Sequence, residues 1–397
     1  MDLKIFTDNV EQKALDQIQL LLAQDAFKDC KVRIMPDVHA GKGCVIGFTA
    51  DLGDKVIPNI VGVDIGCGVR VAELGQIDID FAKLDTVIRE RIPSGRNVRE
   101  GNGEYLPILG LCCKPALKKI EWIHNSLGTL GGGNHFIEVD TDDDGNKYLV
   151  VHTGSRNLGK QVAEYYQALA ISTLSGSSDY MKRHDALIKE YKETGRQREI
   201  ASALVALKAE HRKAHPDIDM PADLCYLTGE QREQYLHDMG ICQKFACENR
   251  SRIIWEIVGA MGWEADNIFE SVHNYLDLKN NIIRKGAISA QKKERLIIPI
   301  NMRDGSIIGV GKGNKDWNMS APHGAGRIMS RMVARKQIAL DDYKETMSGI
   351  YTTCVSTETI DEAPMAYKPM REIVENVEPT VAIERIIKPI YNFKASD

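Results

Sequence analysis

Short apolar runs separated by glycine turns characterise the chain on both sides of its middle. Their length and their flanking turns are typical of strands in a packed sheet and not of helices. The predicted strands are Cys30–Met35, Lys55–Ile57, Val69–Ala72, His135–Val139, Tyr148–His152, Ile282–Ile283, Ala287–Ile288 and Leu296–Ile298.

The middle of the chain, about residues 160–262, has a different pattern. It is charged and largely free of glycine and proline, and residues such as Leu236, Met239 and Phe245 recur at roughly helical intervals. These features predict amphipathic helices. Strands before and after a helical segment favour an α+β fold over a doubly wound nucleotide-binding fold. We interpret the segment as a helical insert in one large domain spanning 1–397, since both strand-rich parts carry His and Gly clusters that could meet.

The composition of the chain excludes some classes of function. The chain has 397 residues, 43% of them apolar and 27% charged, with a formal net charge of −5. This balance excludes nucleic-acid binding through bulk positive charge, so a polyanion would have to meet a local basic patch. We see no secretory leader and no apolar run long enough to span a membrane. Nine scattered cysteines indicate free thiols in a reducing compartment, and we therefore expect a cytoplasmic protein.

The strongest local chemical signal is the segment 63–68, Val-Asp-Ile-Gly-Cys-Gly. Asp64 and Cys67 stand three positions apart, with glycines that permit a tight turn bringing carboxylate and thiolate together. A carboxylate suits Mn²⁺ or Mg²⁺, whereas a thiolate suits softer ions such as Zn²⁺. The alternative is a glycine-rich turn around a buried, inert cysteine.

Four of the ten histidines lie beside glycine, asparagine or strand ends, where functional groups tend to be displayed. They are His135, His152, His273 and His323. A single histidine is more often a satisfied core residue, but four such positions weaken that interpretation. An aspartate, a cysteine and three histidines could bind one metal ion, or two if the thiolate bridges them. Because these residues are far apart in sequence, they favour a catalytic site over a zinc finger.

Arg327 and Arg331 are the basic residues most suited to phosphate. We predict a helix opening after Gly326, on which the two arginines share a face at i,i+4 spacing close to His323. Two guanidinium groups beside an imidazole form a phosphate-handling group. We expect these two arginines to contact a phosphate group.

Taken together, the motifs resemble the RtcB family of RNA ligases. The resemblance lies in ordered stretches that cover nearly the whole chain. They are Met-Pro-Asp-Val-His-Ala-Gly-Lys-Gly at 35–43, Val-Gly-Val-Asp-Ile-Gly-Cys-Gly at 61–68, Gly-Thr-Leu-Gly-Gly-Gly-Asn-His-Phe-Ile-Glu at 128–138, His-Thr-Gly-Ser-Arg at 152–156, His-Asn-Tyr at 273–275, Arg-Lys-Gly-Ala at 284–287, His-Gly-Ala-Gly-Arg at 323–327, Ile-Asp-Glu-Ala-Pro-Met-Ala-Tyr-Lys at 360–368 and the tail around Lys394.

The resemblance implies a reaction and its cofactors. Family members join RNA ending in a 2′,3′-cyclic phosphate or 3′-phosphate to RNA with a 5′-hydroxyl, in RNA repair or tRNA splicing, using GTP and two Mn²⁺ ions. The position that matches the guanylylated histidine is His323, and we expect Arg327 and Arg331 beside it to contact the RNA. The implied metal ligands are Asp64, Cys67 and His135 for one ion, and Cys67, His152 and His273 for the other.

The resemblance also implies a fold and a nucleotide site. The implied fold is a single α+β domain with a central pair of β-sheets and peripheral helices, and an activating protein factor is a possible partner. In the loop 299–303, Pro-Ile-Asn-Met-Arg replaces the family's Pro-Gly-Ser-Met-Gly, which changes how closely a nucleotide can approach. The implied GTP contacts are Asn134, His135, Phe136, Ile137, Glu138, His273, Asn274, Pro299, Ile300, Asn301, Met302, Ser306, His323, Gly324, Ala325, Gly326 and Lys394.

Two other functions compete with ligation. A dinuclear metallophosphoesterase acting on RNA ends would use the same aspartate, cysteine and histidines. His323 discriminates against it, because a hydrolase needs no nucleotidyl histidine. The second alternative is a catalytically silent RNA-binding protein that keeps the metal site for stability, and the full ligand set argues against such decay.

Overall fold

A computed structural model describes residues 2–101, 103–217 and 219–395. Within these ranges the strands are β1 (Asp2–Ile5), β2 (Lys31–His39), β3 (Ile46–Asp51), β4 (Gly68–Gly75), β5 (Phe136–Thr141), β6 (Lys147–Thr153), β7 (Asp266–Val272), β8 (Asn274–Asp277), β9 (Ile282–Lys285), β10 (Ala287–Ser289), β11 (Arg295–Asn301), β12 (Gly305–Gly311), β13 (Ser320–Pro322), β14 (Tyr351–Thr352) and β15 (Val381–Lys394). The α-helices are α1 (Gln12–Leu22), α2 (Pro58–Val61), α3 (Phe81–Arg91), α4 (Ile120–Asn125), α5 (Arg156–Ser175), α6 (Ser177–Glu193), α7 (Ile200–Ala214), α8 (Gly229–Met261), α9 (Arg331–Gln337), α10 (Leu340–Thr346) and α11 (Met370–Val377).

The larger sheet has the strand order β11-β12-β15-β5-β6-β4-β7, with antiparallel neighbours, and the short β14 pairs parallel with β15. The long β15 pairs first with β12 and then with β5, so it joins two hairpins into one sheet. The edge strands approach each other, because the Ile297 N–H donates to Ser271 Oγ at 3.0 Å. The sheet is therefore nearly closed into a barrel.

Alternation along β5 and β6 gives this sheet two apolar faces. Ile137 and Val151 face outward, where they pack with Ile253 of the long helix α8. Phe136 and Val150 face the interior of the curved sheet, in a separate apolar cluster. The strands are thus buried on both sides, and polar groups are displayed where they end.

The second sheet has the order β1-β2-β3-β9-β8 and packs on α1, α2 and α5 in the largest apolar cluster. A two-stranded ribbon, β10 with β13, lies between it and the larger sheet and leads into His323. This arrangement confirms the expected α+β fold, with a pair of main sheets in one domain and peripheral helices. None of the described helices combines the length and the apolar character that a membrane crossing requires.

The helices α5 to α8 occupy the charged middle of the chain, as its periodicity predicts, and the strand predictions agree with β2, β4, β5, β6, β9, β10 and β11. The interpretation of 160–262 as an insert in a domain spanning 1–397 stays a prediction. The predicted strand Lys55–Ile57 is wrong. Only Val56 forms a bridge, with Leu227, and α2 begins directly afterwards at Pro58, whose fixed φ suits the first helical position.

Helix α8 is tied to the loops of the larger sheet by one buried amide. Asn249 Oδ1 accepts hydrogen bonds from the Gly128 and Thr129 backbone N–H groups at 2.7 and 3.0 Å. Its Nδ2 donates to the carbonyl oxygens of Thr129 and Gly154, both at 3.1 Å. One side chain therefore fixes the loop before β5 and the loop after β6 on the same helix.

We predict that Asn249→Ala lowers the free energy of unfolding by about 2–4 kcal/mol, because it leaves buried backbone groups without partners. Urea denaturation followed by circular dichroism measures the change. Lys244→Ala, an exposed position on the same helix, is the control and should change stability by less than about 0.5 kcal/mol. Equal stability of the two variants would contradict the role assigned to Asn249.

Candidate active site

Asp64 and Cys67 lie on a tight turn that precedes β4. The Cys67 N–H donates to the Asp64 carbonyl at 3.3 Å, and Gly66 has a φ of +71°. A Cβ at Gly66 would lie 2.9 Å from the Ala246 side chain on α8. Gly66 is therefore required both by its left-handed backbone and by the close approach of the helix. The turn presents a carboxylate and a buried thiol side by side, as the sequence predicts.

Three histidines surround Cys67. The Cys67 Sγ lies 3.6 Å from His135 Nε2 and 3.3 Å from His152 Nε2. The Nε2 atoms of His152 and His273 are 3.4 Å apart, and His135 Nε2 is 3.0 Å from Asp64 Oδ2. These residues come from the turn before β4, the start of β5, the end of β6 and the link between β7 and β8. The structure thus brings together all five predicted metal ligands.

The hydrogen bonds on the far side of the rings orient two of the imidazoles. Nδ1 of His135 lies 2.9 Å from the Leu130 carbonyl oxygen, and Nδ1 of His152 lies 3.1 Å from that of Asn134. Since a carbonyl only accepts, each Nδ1 donates to it, and each Nε2 is directed toward Cys67.

Burial and the neighbouring histidines lower the pKa of His152 well below its usual value. The same two causes lower the pKa of His273. The pair is therefore neutral, as metal-ligating imidazoles must be.

Two groups of donor atoms share the Cys67 sulfur, one with Asp64 and His135 and the other with His152 and His273, and within each group the atoms lie within 4.8 Å of one another. Although burial opposes ionisation of Asp64, its hydrogen bond to His135 holds the pKa of the carboxyl at about 2. The Nδ1 of His273 has no hydrogen-bond partner among the described residues, and the Nε2 atoms of His152 and His273 face each other at 3.4 Å, where a proton or a cation can lie between them. A carboxylate, a thiol and imidazoles arranged in this way fit a site for divalent metal ions.

His323 lies next to this cluster, with its ring centre 4.9 Å from that of His273. A single carboxylate oxygen, Asp37 Oδ2, accepts from both the backbone N–H of His323 at 3.0 Å and its Nδ1 at 2.6 Å. Asp37 is fully buried, whereas the His323 side chain is 20% exposed. Gly326 packs on Asp37, where a Cβ would lie 2.3 Å from the Asp37 carbonyl oxygen. Asp37 therefore fixes the direction of the His323 ring through Nδ1 and leaves Nε2 on the side away from Asp37.

A cavity of about 810 Å³ opens over His323 and the cluster. Most of the predicted nucleotide contacts line it: Asn134, Phe136, Glu138, His273, Asn274, Pro299, Ile300, Asn301, Met302, His323, Gly324, Ala325, Gly326 and Lys394. His135 lies beneath it in the metal cluster. Ser306 is buried on β12, and its Oγ has no hydrogen-bond partner among the described residues.

Ile137 is placed differently from the other predicted contacts. Its side chain points to the opposite face of β5, into the apolar cluster under α8, because neighbouring residues of a strand face opposite ways. Any nucleotide contact of Ile137 would therefore have to be through its backbone.

The altered segment 299–303 covers the end of β11 and the first residues of the turn to β12. Ile300 is buried in an apolar cluster, and Asn301 Oδ1 accepts from the backbone N–H groups of Arg303 and Asp304 at 3.0 and 2.8 Å. The bulky isoleucine thus packs into the protein and the asparagine closes the turn. Both replacements have a structural role in this chain.

Glu362 forms ion pairs with three cationic side chains at one wall of the cavity. Its carboxylate lies 2.6 Å from Lys394 Nζ, 3.3 Å from Arg327 Nη1 and 3.1 Å from Arg331 Nη2. Although burial opposes ionisation, Lys394, Arg331 and Arg327 hold the pKa of Glu362 at about 2. The predicted helix opening after Gly326 is wrong, because α9 begins only at Arg331, after Ser330 caps it. The two arginines meet through Glu362 instead of sharing a helical face.

Asp37 and Glu362 are the polar residues that sequence reasoning did not single out. Both lie inside stretches that carry the family resemblance, but nothing in their spacing shows that Asp37 would reach His323, 286 residues away. His39 also lines the cavity, with Nδ1 2.9 Å from the Asp37 carbonyl oxygen. Long-range partners of this kind become visible only in three dimensions.

Comparison with known proteins places the chain in a family. The family model described as tRNA-splicing ligase RtcB matches residues 21–107 and 114–395, and the chain therefore belongs to the RtcB family. It is 29% identical over 408 residues to the RNA-splicing ligase RtcB of Escherichia coli strain K12, covering 92% of this chain and 90% of that protein. The tRNA-splicing ligase RtcB of Pyrobaculum aerophilum is 26% identical, covering 86% of this chain and 82% of that protein. That of Aeropyrum pernix is 25% identical, with 89% and 85% covered.

We predict that Cys67→Ala removes most bound Mn²⁺, since both groups of donors lose the ligand they share. The protein is incubated with Mn²⁺ and desalted, and its metal content is then measured by mass spectrometry. Cys44→Ala is the matched control, because Cys44 and Cys67 are each 1% exposed. Full Mn²⁺ occupancy in Cys67→Ala would remove the thiol from the site.

A second prediction concerns Glu138, whose pKa is raised by burial to about 7 despite Asn392 and Lys394 nearby. Between the ordinary carboxyl pKa of about 4.3 and this value, the native protein holds a proton that the unfolded chain releases. The free energy of unfolding therefore falls as pH rises through this window. Glutamine cannot ionise. In Glu138→Gln, the free energy of unfolding should therefore fall by about 1–3 kcal/mol less between pH 5 and pH 8 than it does in the wild type.

Urea denaturation at each pH gives this difference. The exposed Glu264→Gln is the control and should keep the wild-type pH dependence. If Glu138→Gln and the wild type lost equal stability over this range, Glu138 would not be the titrating group.

Proposed function

We propose that this chain is a GTP-dependent RNA ligase that joins a 2′,3′-cyclic-phosphate or 3′-phosphate end to a 5′-hydroxyl end. Membership of the RtcB family supports an RNA ligase role in tRNA splicing or repair. The observation that carries the proposed chemistry is His323, whose Nδ1 is bound to Asp37 while its Nε2 remains open beside the metal cluster. A phosphoesterase has no need for a histidine oriented in this way.

In the first step, His323 Nε2 attacks the α-phosphorus of GTP. A nitrogen–phosphorus bond forms, the bond to the β-phosphate oxygen breaks, and pyrophosphate leaves with the electron pair. Asp37 keeps the proton on Nδ1 and stabilises the positive charge that the ring acquires on phosphorylation, as an acceptor at 2.6 Å can. The product is GMP held on His323.

Two Mn²⁺ ions would be held by the two groups of donors that share Cys67. When bound, they supply positive charge that neutralises the phosphoryl oxygens and lowers the barrier to displacement. The chain contributes the geometry. The carbonyls of Leu130 and Asn134 fix the rings of His135 and His152, so these ligands keep their direction without a bound ion.

The nucleotide is placed by the walls of the cavity. Glu138 is a buried acceptor at its edge, complementary to the N–H donors of a guanine base. The buried Lys394 lies nearby and supplies a positive charge for a nucleotide oxygen. A cavity of about 810 Å³ is also large enough for a nucleotide, since small-molecule sites are about 300–1,000 Å³.

A 2′,3′-cyclic phosphate must first add water, which breaks its bond to the 2′ oxygen and leaves a 3′-phosphate. In the second step, an oxygen of the RNA 3′-phosphate attacks the GMP phosphorus and the bond to His323 Nε2 breaks. The RNA then ends in a phosphoanhydride to GMP. In the third step, the 5′-hydroxyl oxygen of the second RNA attacks the phosphorus that came from the 3′-phosphate. GMP leaves, the hydroxyl proton is lost to solvent or a base, and a phosphodiester joins the strands. The activating protein factor and the cytoplasmic location stay predictions.

We predict that wild-type protein incubated with α-³²P-GTP and Mn²⁺ acquires an acid-labile label, and that His323→Ala acquires none. Denaturing gel electrophoresis measures the label, and acid treatment identifies a phosphoramidate. His184→Ala, a histidine on α6, is the control and should label as the wild type does. Labelling of His323→Ala at the wild-type level would contradict the assigned nucleophile. An RNA whose ends are hydrolysed but never joined would favour the phosphoesterase.

A further inference from the structure

We infer that the segment from Ile328 to Arg335 binds the RNA nucleotides next to the 3′ end, through bases on its apolar side chains and phosphates on its arginines. The inference rests on the proposed function, because it assigns the approach of the RNA to that same site. We name this surface the α9 rim and define it by Ile328, Arg331, Met332 and Arg335.

The α9 rim carries two large apolar side chains that are exposed to solvent. Ile328 is 55% exposed and Met332 is 66% exposed, and both line the cavity over His323. Exposed apolar groups at the mouth of a site commonly mark a contact surface. Single-stranded RNA ends present unstacked bases that seek apolar, aromatic or guanidinium surfaces.

The cations in and beside the α9 rim favour a polyanion as its ligand. Four cations, Arg327, Arg331, Arg335 and Lys394, surround the two buried carboxylates of Asp361 and Glu362. The side chains of Arg331 and Arg335 are 45% and 52% exposed while they pair with Asp361. In a chain of net charge −5, this group of cations lies beside the proposed nucleophile, where the RNA 3′-phosphate must arrive.

The α9 rim is held in place before any ligand binds. The Ile328 N–H donates to the Ala366 carbonyl at 2.9 Å, and Ser330 Oγ accepts from the Val333 N–H at 3.3 Å to cap α9. Asp361, whose side chain is 3% exposed, anchors the guanidinium groups of Arg331 and Arg335. A surface organised in this way loses little conformational freedom on binding.

The test measures binding of a fluorescein-labelled single-stranded RNA with a 3′-phosphate, by fluorescence polarisation without GTP. The double variant Ile328→Ser/Met332→Ser should raise Kd about fivefold or more, as loss of a base contact does. Met181→Ser/Val205→Ser is the matched control, since these exposed apolar residues lie on α6 and α7 and should leave Kd unchanged. An unchanged Kd in the rim variant would overturn the inference and assign the apolar surface to another partner, such as a protein.

Two further arms separate base contacts from phosphate contacts. With an RNA whose last three nucleotides are abasic, wild type and Ile328→Ser/Met332→Ser should bind equally, and a persisting difference would contradict the base contact. Arg335→Ala should reduce the slope of log Kd against log salt by about 0.7, whereas the serine variant should keep the wild-type slope. An unchanged slope in Arg335→Ala would remove that phosphate contact.

These arms are independent of GMP transfer to His323. If the wild type is not labelled by GTP, the proposed function fails while the binding difference can still be read. If the wild type is labelled but the rim variant binds RNA with an unchanged Kd, the proposed function stands and the inference is overturned.

Discussion

The register of neighbouring antiparallel strands in the larger sheet is the constraint on which the candidate active site depends. Val69 of β4 lies opposite His152 of β6, and Gly68 lies opposite Val272 of β7. Cys67 therefore lies at one end of the sheet, beside imidazoles that precede β5, lie near the end of β6 or follow β7. A shift of one residue in any of these pairs would turn a ligand to the opposite face. The apolar clusters on both faces of the sheet resist such a shift.

Holding this site together has an energetic cost that the surrounding hydrogen bonds offset. Burial raises the pKa of the Cys67 thiol well above its usual value, and a neutral imidazole pair is buried beside it. Arg250 stabilises the region, since its Nη1 donates to the Gly66 and Thr153 carbonyl oxygens at 2.7 and 2.8 Å. The surrounding protein thus holds the donor atoms close together although they repel one another. Any ion that binds there adds its binding free energy to the stability of the fold.

Much of the fold and of the site could be predicted from the sequence, because their signals are local. Strand character, helical periodicity and the Asp64–Cys67 turn all depend on residues close in the chain. The metal ligands, although far apart in sequence, could be grouped through the family resemblance, whereas other distant partners could not be predicted. Nothing near Asp37 indicates that it fixes His323, and the helix expected after Gly326 fails because the chain first makes a bridge between Arg327 and Tyr367. In these places, contacts between residues distant in sequence outweigh the local conformational preferences of the chain.

The position of β15 in the chain gives the site an order of assembly during synthesis. Residues 64–273 contain every ligand of the metal cluster, and their strands β4 to β7 pair with one another. Lys394 and Asn392 belong to β15, which pairs with β5 across about 250 residues of intervening sequence. Chains emerge from the ribosome at about 5–20 residues per second. The five candidate ligands can therefore come together many seconds before the strand that completes the cavity wall exists. In a nascent chain, the donor atoms would be grouped well before the cavity above them is closed.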